Sequence, residues 1–171
     1  GFAHVDVEPA RLHGFRRSLC IYSWMYRGTQ ARPGLVLGLD RGGSCVGLAF
    51  RVPAALREEV LAYLRERELV TNVYLERTLP VRLHSGNTVK AVCYIADRHH
   101  EQYAGNLDAG HAAEIARGAV GEAGPNAEYV LNTLEHLKAL NIRDRWLEEV
   151  GRRMVNDERS GDEPAVGLPI R

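Results

Sequence analysis

Two groups of β-rich segments, separated by one amphipathic helical stretch and followed only by helical spacing, limit what this sequence can fold into. Residues 15–22, 35–39 and 45–52 are short, rich in β-branched or aromatic residues, and bounded by Gly, Pro or Asp. Arg41-Gly42-Gly43-Ser44 reads as a hairpin loop joining the last two. Residues 73–83 and 88–95 form the second group, joined by Ser85-Gly86-Asn87. Along 45–52, Cys45, Gly47 and Ala49 point one way and Val46, Leu48, Phe50 and Val52 the other. One small face and one bulky face suit a tightly curved sheet or a small barrel. The order strands, helix, strands, helices predicts an α+β fold and argues against a doubly wound parallel sheet.

The helix between the groups runs from Pro53, which suits a first turn, to about Glu68. Leu56, Val60, Leu61 and Leu64 form one apolar stripe. Further helices are expected over 108–122, which is alanine-rich, from Pro125-Asn126 with Val130, Leu134 and Leu137, and from Asp144 with Trp146, Val150 and Met154. Residues 1–156 read as a single domain and 157–171, polar with Gly and Pro, as a C-terminal tail.

Composition removes several function classes. The 171 residues suit one domain with a real core. No run approaches the roughly 18 apolar residues a membrane-spanning helix needs, and no secretory signal pattern is present, so the expected compartment is the cytoplasm, without a membrane partner. Cys20, Cys45 and Cys93 are odd in number and set among apolar residues, as reduced core thiols would be. The 22 basic residues, all but two of them arginine, are balanced by 22 acidic ones, giving a net charge of zero. That balance speaks against nucleic acid as a partner.

Among residues able to carry chemistry, Glu68 is the most informative. At about 100° per residue it falls about 120° round from Leu56, on the buried side of the stripe, whereas Glu58, Glu59 and Glu66 fall outside it. A carboxylate carried inward at a helix end loses hydration, which raises its pKa and fits it for general acid or base work. The alternative is a frayed helix end with Glu68 on the surface, paired to Arg65 or Arg67. His99-His100-Glu101 lacks the second histidine at the spacing of a zinc motif, and residues 41–44 lack the lysine of a phosphate-binding loop. Ser18, Ser23 and Ser44 sit in no nucleophile-elbow context. Tyr94 and Tyr129 have two readings, as hydrogen-bond donors in a pocket or as structural residues.

Several segments together resemble the ChaC-like family of glutathione-specific γ-glutamylcyclotransferases. They are Gly14-Phe15-Arg16-Arg17, Arg27-Gly28-Thr29 with residues 33–37, Gly42-Gly43-Ser44-Cys45-Val46-Gly47 with Ala49-Phe50-Arg51, and Tyr63-Leu64 with Arg67-Glu68. The pattern continues through Tyr94-Ile95, Tyr103-Ala104-Gly105 and Gly124-Pro125-Asn126 with Glu128-Tyr129, covering about residues 12–147. The resemblance implies a small mixed β-barrel with surrounding helices, the γ-glutamylcyclotransferase-like fold. It also implies a carbon–nitrogen lyase that cleaves glutathione to 5-oxoproline and cysteinylglycine without cofactor or metal, acting as a monomer. The family's catalytic glutamate matches Glu68, the position selected independently by helical phase. Tyr94, Asn126 and Tyr129 match recurrent family positions and are expected to contact substrate, Asn126 having a helix N-cap as its alternative. Arg27 is expected either to meet a substrate carboxylate or to make a structural contact.

Family members also carry a Tyr-Gly-Ser-Leu segment whose loop backbone grips the γ-glutamyl group. These 171 residues contain no such tetrapeptide. Its usual place is a few residues upstream of Gly1-Phe2, so a first strand and loop are expected to precede the given sequence, the alternative being a chain with half the site. Two other functions fit the resemblance: a cyclotransferase for other γ-glutamyl amines or dipeptides, and a catalytically silent regulatory protein of the same fold.

Overall fold

The computed structural model describes residues 1–160, with side chains as far as Asn156. The chain divides into two compact units: the first comprises Gly1–Ser23 with Leu35–Leu107, the second Trp24–Gly34 with the chain from Asp108 onward.

In the first unit, β1 (Asp6–Ser23), β2 (Gly34–Arg51), β3 (Tyr74–Leu83) and β4 (Thr88–Ala96) close into a barrel in the order β1-β2-β4-β3. The turn at Ser85-Gly86-Asn87, with Gly86 at φ 93°, sets the antiparallel register of β3 on β4. β1 pairs antiparallel with β3, Leu12 opposite Val81, and β2 runs parallel to β4 at Leu39 and Ile95. The small face anticipated along 45–52 is used inside, where Ala49 packs against Ala10, Leu12 and Val81. Phe50, from the bulky face, stays 45% exposed and meets Phe2 and His4 edge-on.

The hairpin loop expected at 41–44 is absent, because β2 runs unbroken through it. Gly42 and Gly43 do take positive φ, 105° and 65°. A glycine pair of this kind can also bend a single strand without ending it, and here it does so in a barrel wall.

Tyr74 donates its hydroxyl to the carbonyl of Leu37 at 2.8 Å. β2 and β3 are not neighbours in the barrel, so this bond ties together two strands that share no ladder. Tyr74→Phe should cost about 1 kcal/mol, the net worth of one such bond. A Tm lower by about 3 °C in thermal unfolding would register it, and an unchanged Tm would show that this bond contributes nothing.

A 3₁₀ turn (Ala54–Leu56) leads into α1 (Arg57–Glu68). Val60 and Leu61 are buried and Leu64 half-buried. This stripe lines a cavity of about 550 Å³ together with Leu12, Val81, Ala91 and two half-buried thiols, Cys45 and Cys93. Cys20 is fully buried; loss of hydration, then the charge of Asp40, pushes its thiol up to about 12. None of the three forms a disulfide.

In the second unit, α2 (Ala109–Gly118) is capped by the Asp108 carboxylate, which accepts from the His111 N–H. It ends four residues before the expected boundary, where β5 (Val120–Gly121) and β6 (Gly124–Pro125) form a two-residue hairpin. Alanine content alone does not carry a helix through Gly118, Gly121 and Gly124. α3 (Asn126–Ala139) buries Val130 and Leu137. α4 (Arg145–Ser160) buries Leu147, Val150 and Met154, Leu147 taking the place anticipated for Trp146, which is half-buried. The fully buried alanines of α2, Ala112, Ala113 and Ala116, let it pack closely on α3 and α4. α4 extends to Ser160, four residues into the stretch read as a tail; 161–171 lie outside the described residues. Among the described residues no helix is long and apolar enough to cross a membrane.

Candidate active site

Glu68 is the last residue of α1. The last helical hydrogen bond runs from the Leu69 N–H to the Arg65 carbonyl, after which Leu69 leaves helical geometry and Asn72, at φ 56°, turns the chain into β3 through buried Val73. The side chain of Glu68 is half-buried. That is less enclosed than helical phase implied, since its stripe neighbour Leu64 is also only half-covered. Among the described residues Glu68 makes no ion pair within 4 Å, although Arg67 and Tyr94 feel its charge.

Arg65 and Arg67, the two arginines next to it on α1, are engaged elsewhere. Arg67 Nη1 donates to the Tyr63 hydroxyl at 2.8 Å, with its guanidinium over that ring. Arg65 grips Glu76 on β3 with two nitrogens, Nε to Oε2 at 2.8 Å and Nη2 to Oε1 at 2.7 Å. Tyr94 sits directly opposite Glu76 on β4 and donates its hydroxyl to Oε2 at 3.1 Å. The Arg65 hydrogen bonds, reinforced by Tyr94, hold the Glu76 carboxyl below its ordinary value despite partial burial. Burial and the bond to Glu76 push the Tyr94 hydroxyl up to about 12, so it remains a donor throughout the neutral range.

Glu76 escaped the sequence reading because an acidic residue in a β-rich run gives no periodic signal. The hairpin turn could have revealed it, since Glu76 and Tyr94 are equidistant from Ser85 and so face each other once the register is set.

The other expected residues lie in the second unit. Arg27 Nη1 donates to the carbonyl of Ala123 at 2.6 Å and, more weakly, to that of Pro125 at 3.4 Å, while its guanidinium stands 5.3 Å from the centre of the Tyr129 ring. Asn126 is fully buried and is the first residue of α3, Pro125 taking the cap position; its N–H donates to the Ala119 carbonyl at 2.9 Å. Tyr129 is half-buried, and its carbonyl accepts from the Thr133 hydroxyl. The glycines of this segment are places of close backbone approach. A Cβ on Gly28 would strike the Gly34 nitrogen, and one on Gly34 would strike the Arg27 carbonyl and stand 3.0 Å from Asn126 Oδ1. Elsewhere, the Asp97 carboxylate receives the His99 N–H and His100 Nδ1 receives the Gln102 N–H, in a turn of the first unit.

A closed four-strand barrel with helices around it has the fold of the γ-glutamylcyclotransferases. A crystal structure of the glutathione-specific γ-glutamylcyclotransferase from yeast superimposes with a TM-score of 0.78, covering 90% of this chain and 89% of that one at 21% identity. The sequence pattern of the ChaC-like protein family matches residues 1–157, and the chain belongs to that family. A glutathione-specific γ-glutamylcyclotransferase of Escherichia coli K12 is 33% identical over 139 residues, which are 81% of this chain and 60% of that protein. One of Schizosaccharomyces pombe is 29% identical over 160 residues, 81% of this chain and 77% of its own. The chain thus spans somewhat under two thirds of the length of the E. coli relative.

Proposed function

We propose that this chain cleaves glutathione by cyclising its γ-glutamyl group, releasing 5-oxoproline and cysteinylglycine, with Glu68 as the residue that moves the proton. The observation that carries the reading is the division between two carboxylates at one end of α1. Glu76 has its lone pairs occupied by Arg65 and Tyr94, whereas Glu68 has no ion pair among the described residues. Only an unclamped carboxylate can take up and return a proton readily. Membership of the ChaC-like family, with relatives named for this activity, supports the same reading.

The substrate carries its own nucleophile, which explains why one carboxylate suffices. Glu68 accepts a proton from the α-ammonium, and the freed amine attacks the γ-carbonyl carbon to close a five-membered ring. The bond to the cysteinyl nitrogen then breaks as that nitrogen takes a proton from Glu68. The ring nitrogen sheds one further proton on becoming an amide, and the released cysteinylglycine amine takes it up to leave as the ammonium, so charge balances and no water is consumed. Intramolecular attack has a high effective molarity, leaving the protein to hold the folded conformer and manage protons.

Incubation with glutathione should release 5-oxoproline and cysteinylglycine in equal amounts, with γ-glutamylalanine turned over far more slowly. Comparable turnover of γ-glutamylalanine would widen the assignment to γ-glutamyl amines in general. No 5-oxoproline from either substrate would remove it.

A further inference from the structure

We propose that Glu76, seated against Tyr94, is a positioning residue whose task is to hold Arg65 away from Glu68 and so keep the Glu68 carboxylate free; this rests on the reading of Glu68 as the acid/base group. Arg65 precedes Glu68 by three residues on α1, the spacing at which helix side chains become neighbours. An arginine there is the natural partner for a helix-end glutamate, and a bidentate grip would take up the lone pairs needed for proton transfer.

The structure shows that grip made to a different carboxylate. Both Glu76 oxygens face the Arg65 fork at 2.7 and 2.8 Å, and Tyr94 adds a third hydrogen bond from the opposite strand. Arg67, the other cation beside Glu68, is likewise engaged, by Tyr63. Arg67 on its own helix and Tyr94 on β4 feel the charge of Glu68, and Arg65, its neighbour three residues back on α1, is turned to Glu76 on β3. Two arginines are diverted and one hydroxyl is spoken for.

The Arg65 side chain is 48% exposed and that of Glu76 25%, so solvent screening limits what even this bidentate pair adds to folding. Its geometry has more effect on where Arg65 is than on how tightly the barrel holds together.

Glu76→Gln releases the grip while keeping the shape. In the full chain it should lower kcat/KM for glutathione about tenfold, and the acidic limb of the pH profile should move to lower pH as Arg65 turns to Glu68 and makes it a weaker base. The deciding variant is the double substitution Arg65→Met with Glu76→Gln. With no arginine left to clamp Glu68, it should recover most of the lost activity and return the acidic limb toward the wild-type position. Tm should stay within about 4 °C of wild type in both, as expected for an exposed pair. A double variant as impaired as Glu76→Gln, or a Glu76→Gln variant with unchanged activity and profile, would overturn the proposal. Glu68→Gln, assayed alongside, separates the two claims. Retained activity in that variant removes the assignment of Glu68 itself, whereas its loss together with a silent Glu76→Gln removes only the role given to Glu76.

Discussion

Glu68→Gln should release 5-oxoproline from glutathione between about 10²- and 10⁴-fold more slowly than wild type, the range a positioned general acid or base supplies. Glutamine preserves the length, planarity and hydrogen-bonding capacity of the side chain but cannot carry the proton. KM should change little, because the loss falls on a step made only in the transition state. Some turnover should survive, since ring closure by the α-amine is intramolecular and keeps its effective molarity whenever the folded conformer is bound. Glu68→Asp, which withdraws the carboxylate by one methylene, should fall between the two. The half-buried position of Glu68 at a helix end makes both variants structurally mild, so circular dichroism and Tm should match wild type. Release of 5-oxoproline within a few-fold of wild type by Glu68→Gln would sink the assignment.

What the sequence disclosed here follows from which signals are local. Helical phase carried Glu68 to the end of α1 because Val60, Leu61 and Leu64 keep one stripe along that helix, continued by Leu56 in the turn before it, and Ser85-Gly86-Asn87 marked the true hairpin because β-rich runs of similar length flank it. The same logic misread Arg41–Ser44. A glycine pair with positive φ is needed both to reverse a chain and to bend a barrel strand, and only the closure of the barrel decides between them. The clamp on Arg65 was invisible for a similar reason, since it joins residues eleven apart in different elements. In the second unit, Arg27 and Asn126 carried no periodic signal. Their contacts there include hydrogen bonds to backbone carbonyls of the 119–125 segment, which a pattern of side chains does not encode.

Asp40 should prove a pH-sensitive contributor to the stability of the barrel unit. Its side chain is fully inaccessible and receives Arg98 Nε at 2.7 Å, Arg16 Nη2 at 3.1 Å and the Tyr103 hydroxyl at 3.2 Å. Arg98 also reaches the Arg41 carbonyl, and Arg16 reaches Asn106, so one carboxylate ties β1 and β2 to the irregular segment after β4. Burial alone would push the Asp40 carboxyl up. The bonds from Arg98, the Arg41 N–H and Tyr103 outweigh it and leave the pKa below the ordinary aspartate value. Asp40→Asn keeps the shape but faces two guanidinium groups with a neutral amide. Breaking a fully buried pair costs roughly 3 to 5 kcal/mol. Arg16 and Arg98, however, are 37% and 40% exposed and can recover water, which places the expected cost near the lower end, about 3 kcal/mol at neutral pH. That corresponds to a Tm lower by about 6 to 12 °C. Because the folded-state pKa lies below the unfolded one, the carboxylate's contribution is fully present above about pH 4 and is lost as pH falls through the folded value. Urea unfolding at pH 7 and in a descending acid series should therefore show wild type and Asp40→Asn converging as the medium becomes acidic. A stability gap that stays constant down the series would mean that the substitution acts through packing and not through the charge.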